Sequence, residues 1–340
     1  MFGLGWLRAL TGARGLVEHA HHGVPRLGEG YTTDDNARAL LYLSLLPEGA
    51  RDEGLVRTYL AFLLHMQKED GRFRNGLTLD GRFEDEGEAE DPTGRAVLAL
   101  AAAQRLPPPY AGPAREALLR ALPALEGFTS LRGRAYALLG LLALPKEPFL
   151  EAAEALGEGL LRAFREAEPA WPYPGPLTYA NHRPVEALYA YGLAFRRQEA
   201  VALARRALAF LKEHYFTPGE EGLFFDPVGN RFMARGRDKP LFDQQPIEAK
   251  CALLAHLRFG ERVLAEVAFL WFHGRNRLRA PLVDAFGPMD GLTPHGPNQN
   301  RGAEALLAYL LAWQALVQGV FPQVDEGVAL GRVFALGGRP

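Results

Sequence analysis

Six times along the 340-residue chain a short polar segment leads directly into an Ala- and Leu-rich run, and the six junctions align on one charged residue. The separations of these residues, 57, 39, 52, 62 and 56 positions, each accommodate a helix, a turn and a second helix. No single hairpin can bury its apolar face alone, so the repeat predicts an all-α (α/α)6 toroid, with residues 1–340 forming one domain. All six aligned residues should lie at one end of the ring and point towards its axis: Arg38, Arg95, Arg134, Glu186, Glu248 and Glu304.

Two classes of helix alternate in this predicted ring. Segments that are apolar on all sides are typical of helices covered all round, and they occupy residues 39–46, 96–103, 135–144, 187–195, 249–257 and 305–317. Segments with one apolar stripe, such as 201–211, predict the outer helices, and residues 2–20 supply the first of these, broken near Gly12. Two longer connections, 68–90 and 217–243, contain aromatic residues and are predicted to form short β-hairpins at the rim.

Composition excludes several classes of function. The net charge is −2, with 38 basic and 40 acidic residues intermixed, which predicts neither a nucleic-acid partner nor a membrane partner. The apolar stretch 305–321 contains two glutamines and follows a repeat junction, so we interpret it as an inner helix. The first residues lack the features of a signal peptide, and a cytoplasmic location is expected.

The sequence contains little evidence for a metal site or a cofactor site. A single cysteine, Cys251, excludes a disulfide framework and a thiolate-rich zinc site. His19, His21 and His22 lie close together, but no second cluster of ligands has metal spacing. We therefore predict no metal and no cofactor.

Polar residues at the helix starts exceed what capping requires. One helix needs one side-chain acceptor at its N-terminus, yet Asp34 adjoins Asp35 and Gln244 adjoins Gln245. An internal belt of ion pairs is one explanation, and a ligand site is the other. A pair of carboxyl groups can serve an inverting glycoside hydrolase, one as acid and one as the base that activates water. The candidate catalytic residues are Asp34, Asp35, Asp91, Asp243, Glu248 and Glu304.

Amide, guanidinium and aromatic side chains at the same junctions suit a sugar. Amides and arginines bind hydroxyl groups, and flat rings stack on the faces of pyranoses. We expect the mouth to be bordered by Asp34, Asp91, Asp243 and Asn300, with Trp171 or Tyr179 on its wall. The candidate substrate-binding residues are Tyr31, Asn36, Arg38, Arg95, Trp171, Tyr179, His182, Phe242, Gln244, Gln245, Asn298 and Asn300.

Three motifs, YTTDDNARA at 31–39, FDQQPIEA at 242–249 and NQNRGAE at 298–304, together resemble a microbial family. Its members look like six-hairpin glycosidases, occur alone or joined to glycosyltransferase domains, and are often called glycosyltransferases by that association. Some lie near mannoside phosphorylases. The resemblance spans residues 15–315 and implies a carbohydrate-active protein, with a mannoside among its candidate substrates. Thr32 stands where the family often has Cys, and Pro92-Thr93 stand where it has Ser-His.

The leading hypothesis is an inverting glycoside hydrolase that acts on a short oligosaccharide. One alternative is a non-hydrolytic sugar-binding partner of a glycosyltransferase. Another is a sugar epimerase or isomerase, in which His182 or His295 would act as the proton-transfer base. A structural scaffold without a small-molecule ligand is the remaining alternative.

Overall fold

The structure, a computed structural model, describes residues 3–84, 90–144 and 146–319. Phe2, where the first outer helix was predicted to begin, and residues 320–340 of the predicted domain lie outside the described residues. In this part of the chain there are twelve α-helices: α1 (Leu4–Leu10), α2 (Thr33–Leu45), α3 (Glu53–Met66), α4 (Glu90–Ala102), α5 (Pro108–Ala121), α6 (Leu131–Leu141), α7 (Phe149–Arg165), α8 (His182–Ala194), α9 (Gln198–Tyr215), α10 (Pro246–Arg258), α11 (Arg262–Leu270) and α12 (Ala303–Gln318).

The even-numbered helices form a closed inner ring. Each of them packs against the next, and α12 packs back against α2. The odd-numbered helices cover this ring from outside, with α3 on α2, α5 on α4, α7 on α6, α9 on α8, α11 on α10 and α1 on α12. This arrangement confirms the predicted all-α (α/α)6 toroid.

The inner helices begin before the predicted apolar segments, so the polar junctions occupy the first helical turns. Four of them, α2, α4, α6 and α8, end one to three residues before the predicted segments do. The Thr32 side chain caps α2 by accepting from the Asp35 amide, and the Ser130 hydroxyl caps α6 by accepting from the Gly133 amide. These hydroxyls satisfy free N–H groups at the helix starts. The carboxylates of Asp34 and Asp35, which follow Thr32, are therefore left for other contacts.

Glycine allows α4 and α6 to pack backbone against backbone. A Cβ atom on Gly94 would lie 2.4 Å from the Gly133 carbonyl oxygen, and one on Gly140 would lie 2.7 Å from the Leu98 Cα. These contacts run in the same direction along both helices, so the two inner helices are parallel. Their first turns therefore lie at the same end of the ring.

The first outer helix is shorter than predicted. It ends at Leu10, where the Thr11 backbone is extended, and an isolated bridge then joins Thr11 to Leu16. The residues after Gly12 turn inwards, because the Leu16 backbone is bonded to the side chain of Asn36. Residues 11–20 are therefore a buried connection to the first inner helix, and the predicted helix over them is wrong.

Short strands form antiparallel pairs in the segments between the helices. The hairpin predicted within 217–243 is confirmed by β5 and β6, whereas β4, in the 68–90 connection, pairs with β3. The strands are β1 (Ala20–His21), β2 (Val24–Pro25), β3 (Tyr31–Thr32), β4 (Gly76–Leu77), β5 (Phe216–Gly219), β6 (Gly222–Phe225), β7 (Val283–Asp284), β8 (Gly287–Pro288), β9 (Gly291–Thr293) and β10 (Gly296–Asn298).

The last inner helix, α12, is enclosed by its neighbours. The side-chain amide of Gln314 donates to the Tyr42 carbonyl oxygen on α2, at 3.3 Å, and Gln314 is fully buried. Within the described ranges, no helix has both the length and the apolar character needed to cross a membrane.

Candidate active site at the mouth of the toroid

The first turn of α2 brings two carboxylates and an arginine together. Asp35 is 3% exposed; its Oδ1 accepts from Arg38 Nη1 at 2.5 Å, and its Oδ2 accepts from the Thr32 hydroxyl at 3.0 Å. Arg38 also bonds to Glu304 on the adjacent inner helix α12, with 3.2 Å between Nη2 and Oε2. Arg38 thus joins the first and last inner helices.

Asp34 faces a different arginine. Its Oδ2 accepts from Arg95 Nη1 on α4 and lies 3.9 Å from Arg38 Nη2. Its Oδ1 is buried and has no hydrogen-bond partner among the described residues, although the side chain as a whole is 22% exposed. Asp34 is therefore held by guanidinium groups through Oδ2, while its buried Oδ1 is left without a described partner.

A second cluster surrounds Asp91 in the first turn of α4. Its Oδ2 accepts from Arg132 Nε at 2.8 Å and from the Tyr179 hydroxyl at 2.7 Å, and its Oδ1 accepts from the Ser130 hydroxyl at 2.6 Å. The Arg132 guanidinium also lies 4.0 Å above the centre of the Tyr179 ring. Burial alone would raise the pKa of Asp91, but Arg132, Ser130 and Arg95 outweigh it and lower that pKa. Asp91 is thus a stable carboxylate.

Glu248, in the first turn of α10, has the opposite environment. It is 1% exposed; its Oε1 accepts from the Ala180 amide, and its buried Oε2 has no described partner. Burial raises the pKa of Glu248 to about 7, and the charge of Glu304 adds to this effect. Near neutral pH this carboxyl group can therefore hold a proton.

Asp35 also has a raised pKa. Burial is the largest cause, Arg38 opposes it, and the charges of Glu304 and Asp34 add to it. The mouth thus combines a carboxylate that stays ionised, Asp91, with carboxyl groups that burial biases towards the protonated form. Such separation of pKa values is a common feature of acid–base sites.

Two arginines flank a tyrosine between α4, α6 and α8. The guanidinium groups of Arg95 and Arg183 lie 4.7 Å and 5.6 Å from the centre of the Tyr136 ring. Arg183 Nη1 is 2.5 Å from Glu186 Oε2, and Arg258 Nε is 3.0 Å from Glu186 Oε1. Buried polar atoms of this region have no partner in the described residues: Arg38 Nε, Arg95 Nε and Nη2, Tyr136 Oη, Arg183 Nε, Asp34 Oδ1 and Glu248 Oε2.

The alignment of the six charged residues holds only in part. Arg38 and Glu304 do contact each other, and Arg95 and Glu248 lie in the same region. Arg134 instead turns outwards, donating to the carbonyl oxygens of Phe128 and of Gly159 on α7. The prediction that all six face the axis is therefore wrong at Arg134, since one residue of offset along a helix rotates a side chain by about 100°.

Two predicted hydroxyl-binding residues have structural roles. The Asn36 side chain is fully buried and bonds to the Leu16 backbone and the Thr32 carbonyl oxygen. Gln244 donates to Asp226 Oδ1 and the Leu241 carbonyl oxygen, and it accepts from the Trp271 indole. Both amides are occupied by the protein itself, which corrects their predicted role.

Two predicted stacking residues also lie elsewhere. Tyr31 is 1% exposed and packs against Phe62 in the core. Trp171 donates its indole N–H to the Gly175 carbonyl oxygen and packs against Phe210. Trp171 lines a cavity of about 390 Å³ whose other walls include residues of the outer helix α7. Of the two rings expected at the mouth, the structure brings only Tyr179 to the carboxylates.

Neither predicted histidine base lies among these carboxyl groups. His182 is fully buried against Tyr215 and His256, and burial lowers its pKa well below the usual value. This packing corrects its predicted contact with substrate. His295 is exposed between strands β9 and β10.

The remaining predicted residues lie in the loops before α10 and α12. Asp243 is exposed with a left-handed backbone (φ 57°), while Phe242 and Gln245 are half-buried. Asn298 and Asn300 are half-buried too, and the backbone N–H of Asn300 donates to Asn298 Oδ1. No contact with the carboxylate clusters is described for these five residues, so their roles stay predictions.

Several residues of this region were not among the predicted site residues. Glu18 and Asp290 lie near Asp35, and burial, with the charge of Asp35, raises their pKa values, that of Glu18 to about 7. Arg132 and Arg183 belong to the polar junctions of the sequence, so their position was a signal that could have identified them. Lys250 had a clear signal, because it interrupts an otherwise apolar inner-helix run.

The opposite end of the ring is different in character. A cavity of about 240 Å³ lies where α2, α4 and α6 end, and its lining contains no carboxyl group. No group of three or more described His, Cys, Asp or Glu side chains is placed to hold a metal ion. Acid–base chemistry by protein side chains therefore has its candidates at the N-terminal end of the inner helices.

No protein-family model matches this chain, and no curated protein matches it. Solved structures resemble it over nearly their whole length. A D-mannose isomerase has a TM-score of 0.66 at 10% identity, covering 93% of this chain and 96% of its own. The cellobiose 2-epimerase of Bacillus thermoamylovorans has a TM-score of 0.66 at 8% identity, with 91% and 95% covered. A GH76 α-mannanase of Bacteroides thetaiotaomicron has a TM-score of 0.61 at 10% identity, with 98% and 95% covered. At such low identity these likenesses show the toroid fold.

Proposed function

We propose that this protein is a carbohydrate-active enzyme that hydrolyses a glycosidic bond of a short oligosaccharide with inversion at the anomeric carbon. One observation carries the proposal. Among the described residues, the only buried carboxyl oxygens without a partner are Asp34 Oδ1 and Glu248 Oε2. They come from first turns of two inner helices, α2 and α10, and α12 stands between these helices in the ring. A hydrolase needs two such carboxyl groups facing one bond.

Glu248 suits the role of general acid. Burial raises its pKa to about 7, so the group can be protonated at neutral pH before it donates to the leaving oxygen. The Ala180 amide holds Oε1, which leaves Oε2 for the substrate. After proton transfer the same N–H group would stabilise the carboxylate.

Asp34 suits the role of general base. Arg95 and Arg38 stabilise its negative charge through Oδ2, and its buried Oδ1, which has no described partner, is left to accept a proton from the attacking water. Asp35 accepts a hydrogen bond from Arg38 on the buried side and is a positioning residue. The base would remove a proton from the attacking water on the face of the sugar opposite to the acid.

The substrate class is supported by the surroundings of these two groups. Unpartnered guanidinium nitrogens and the Asp91, Arg132 and Tyr179 cluster can bind hydroxyl groups and one ring face. Mannose isomerase, cellobiose 2-epimerase and α-mannanase, which share the fold, all act on carbohydrates by name. A mannoside is accordingly a first substrate to test.

The direct test is hydrolysis of a panel of manno- and gluco-oligosaccharides. We expect wild-type cleavage, and loss of roughly 100-fold or more in kcat for Asp34→Asn and Glu248→Gln, which is the usual contribution of a general acid or base. Glu213→Gln, at an exposed position of α9, is the matched control and should retain full activity. Proton NMR of the first product should show the inverted anomer.

Failure of the wild type to cleave any glycoside, or full activity in both variants, would contradict the proposal. The two alternatives give different results in the same assays. Saturable oligosaccharide binding without turnover would indicate a sugar-binding protein, such as a partner of a glycosyltransferase. Deuterium incorporation into a free monosaccharide in heavy water would indicate an epimerase or isomerase, for which His19 beside Glu18 would be the imidazole to replace.

A further inference from the structure

A buried lysine lies among the guanidinium groups of the candidate site. Lys250 is on α10, two residues after Glu248, and is 2% exposed. Its ammonium group makes no hydrogen bond or ion pair with any residue that the structure describes. A buried ammonium loses its hydration, and a partner normally compensates for that loss. The ammonium group of Lys250 is therefore available to bind a ligand.

Three arginines act on this lysine electrostatically. Burial is the largest cause that lowers the pKa of Lys250; Cys251 opposes it, and the charges of Arg183, Arg38 and Arg95 add to it. The resulting pKa is about 8. Cationic groups from α2, α4, α8 and α10 thus converge within the ring.

Each of the three arginines already has an acidic partner, but Lys250 has none. Arg95 pairs with Asp34, and Arg183 pairs with Glu186. The third, Arg38, pairs with carboxylates of α2 and α12. Lys250 is therefore the one of these four cations for which no ion pair with a described residue is formed.

The unused hydrogen-bonding atoms of the same region are mostly donors. Four guanidinium nitrogens of Arg38, Arg95 and Arg183 are buried without a described partner, whereas only two carboxyl oxygens are in that state. A hydroxyl group can accept from such donors, but it brings no negative charge to the cations around them. A carboxylate or a phosphate only accepts, and its charge strengthens each bond.

We propose that the saccharide substrate carries an oxyanion, a carboxylate or a phosphate, and that Lys250 and the unused guanidinium N–H groups of Arg38, Arg95 and Arg183 bind it. This inference rests on the proposed function and narrows its substrate class to acidic sugars. The two unpartnered carboxyl oxygens stay available for the scissile bond. Lys250 then determines specificity and takes no part in bond cleavage.

Matched pairs of small sugars test the inference on the full chain. Glucuronate with glucose, and mannose 6-phosphate with mannose, are compared by calorimetry at constant ionic strength. In at least one pair we expect the anionic sugar to bind at least about ten-fold more tightly, the effect of one charge-assisted contact. The pair that shows the preference distinguishes a carboxylate from a phosphate.

Variants then assign the preference to the lysine. Lys250→Met keeps the length of the side chain but removes its charge, and we expect it to lose the preference while binding of the neutral sugar is retained. Lys212→Met, at an exposed position of α9, is the matched control and should keep the preference. Full preference in a folded Lys250→Met protein would overturn the inference.

The wild-type comparison stands even if Lys250→Met does not fold. Equal binding of charged and neutral sugars, or no binding of either, contradicts the inference. Binding of inorganic phosphate without any preference among the sugars assigns the site to a free anion and also contradicts it. Cleavage of neutral oligosaccharides without a preference for anionic sugars would support the proposed function and contradict this inference. A preference for anionic sugars without cleavage of any glycoside would support this inference and contradict the proposed function.

Discussion

At the scale of single residues, burial and charge act against each other at the mouth of the toroid. Asp91 remains a carboxylate because Arg132 and its hydroxyl partners outweigh burial. Burial raises the pKa of Glu248. It outweighs the hydrogen bonds from the Ala180 amide, Tyr215 and Asn181, which lower that pKa, and no described cation pairs with the carboxyl group. The same side-chain chemistry therefore gives an ionised group and a protonated one at neutral pH, according to the neighbours that each receives.

Glu248 should make stability depend on pH in a defined direction. Its pKa is about 7 in the folded protein against 4.5 for the reference group, so between these values the folded state binds the proton more tightly. Stability from this group is complete below pH 4.5 and is lost as pH rises through about 7. The linkage relation gives roughly 3 kcal/mol for the whole change.

The measurement is urea unfolding of wild type and Glu248→Gln at several pH values. Because glutamine does not titrate, the wild type should lose stability relative to the variant as pH rises across this window. Glu213→Gln, whose position is exposed on the outer helix α9, should follow the wild type. A constant difference between wild type and Glu248→Gln would show that burial does not raise the pKa of Glu248.

At the scale of helices, the apolar periodicity carried most of the information. All six inner helices overlap their predicted segments, because a helix without a polar face must be enclosed, although four of them end one to three residues early. The length of the first outer helix was overestimated, because Thr11 and Leu16 form a β-bridge that the local sequence does not predict. Contacts with a distant residue, Asn36, decide that segment.

The close approach of α4 and α6 gives a prediction at this scale. Gly140→Ala should destabilise the protein by about 1–3 kcal/mol, because the added methyl group would meet Leu98 Cα at 2.7 Å and the backbones must separate. Gly5→Ala on α1 has nothing within 4 Å of the new atom and should be neutral or stabilising by about 0.5–1 kcal/mol. Urea unfolding measures both, and equal effects would contradict the described packing.

At the scale of the whole molecule, closure of the ring joins distant parts of the chain. Arg38 pairs with Glu304, and Gln314 bonds to Tyr42, so α2 and α12 meet near both ends. One hydrophobic core contains residues from all twelve described helices. The single domain predicted for residues 1–340 therefore leads us to expect one cooperative unfolding transition.

Ring closure can be tested with one substitution on α12. Gln314→Glu would place a carboxylate beside the Tyr42 carbonyl oxygen in a fully buried position, and we expect a loss of about 2–4 kcal/mol that grows with pH. Gln318→Glu, exposed at the end of the same helix, should change stability by less than about 0.5 kcal/mol. Calorimetry would contradict the described closure if the two variants had the same Tm.

The sequence alone determined the all-α class, the number of inner helices and the end of the ring where charged groups gather. These properties follow from hydrophobic periodicity and from polar residues at helix starts, which are local. Only the tertiary structure decided which polar side chains remain free for a ligand. Gln244 is bonded to the side chains of Asp226 and Trp271, and Asn36 is bonded to the Leu16 backbone. Arg134 turns outwards, and Lys250 has no partner among the described residues. Hydrogen-bond satisfaction depends on which neighbours the fold supplies, and no local pattern in the sequence specifies them.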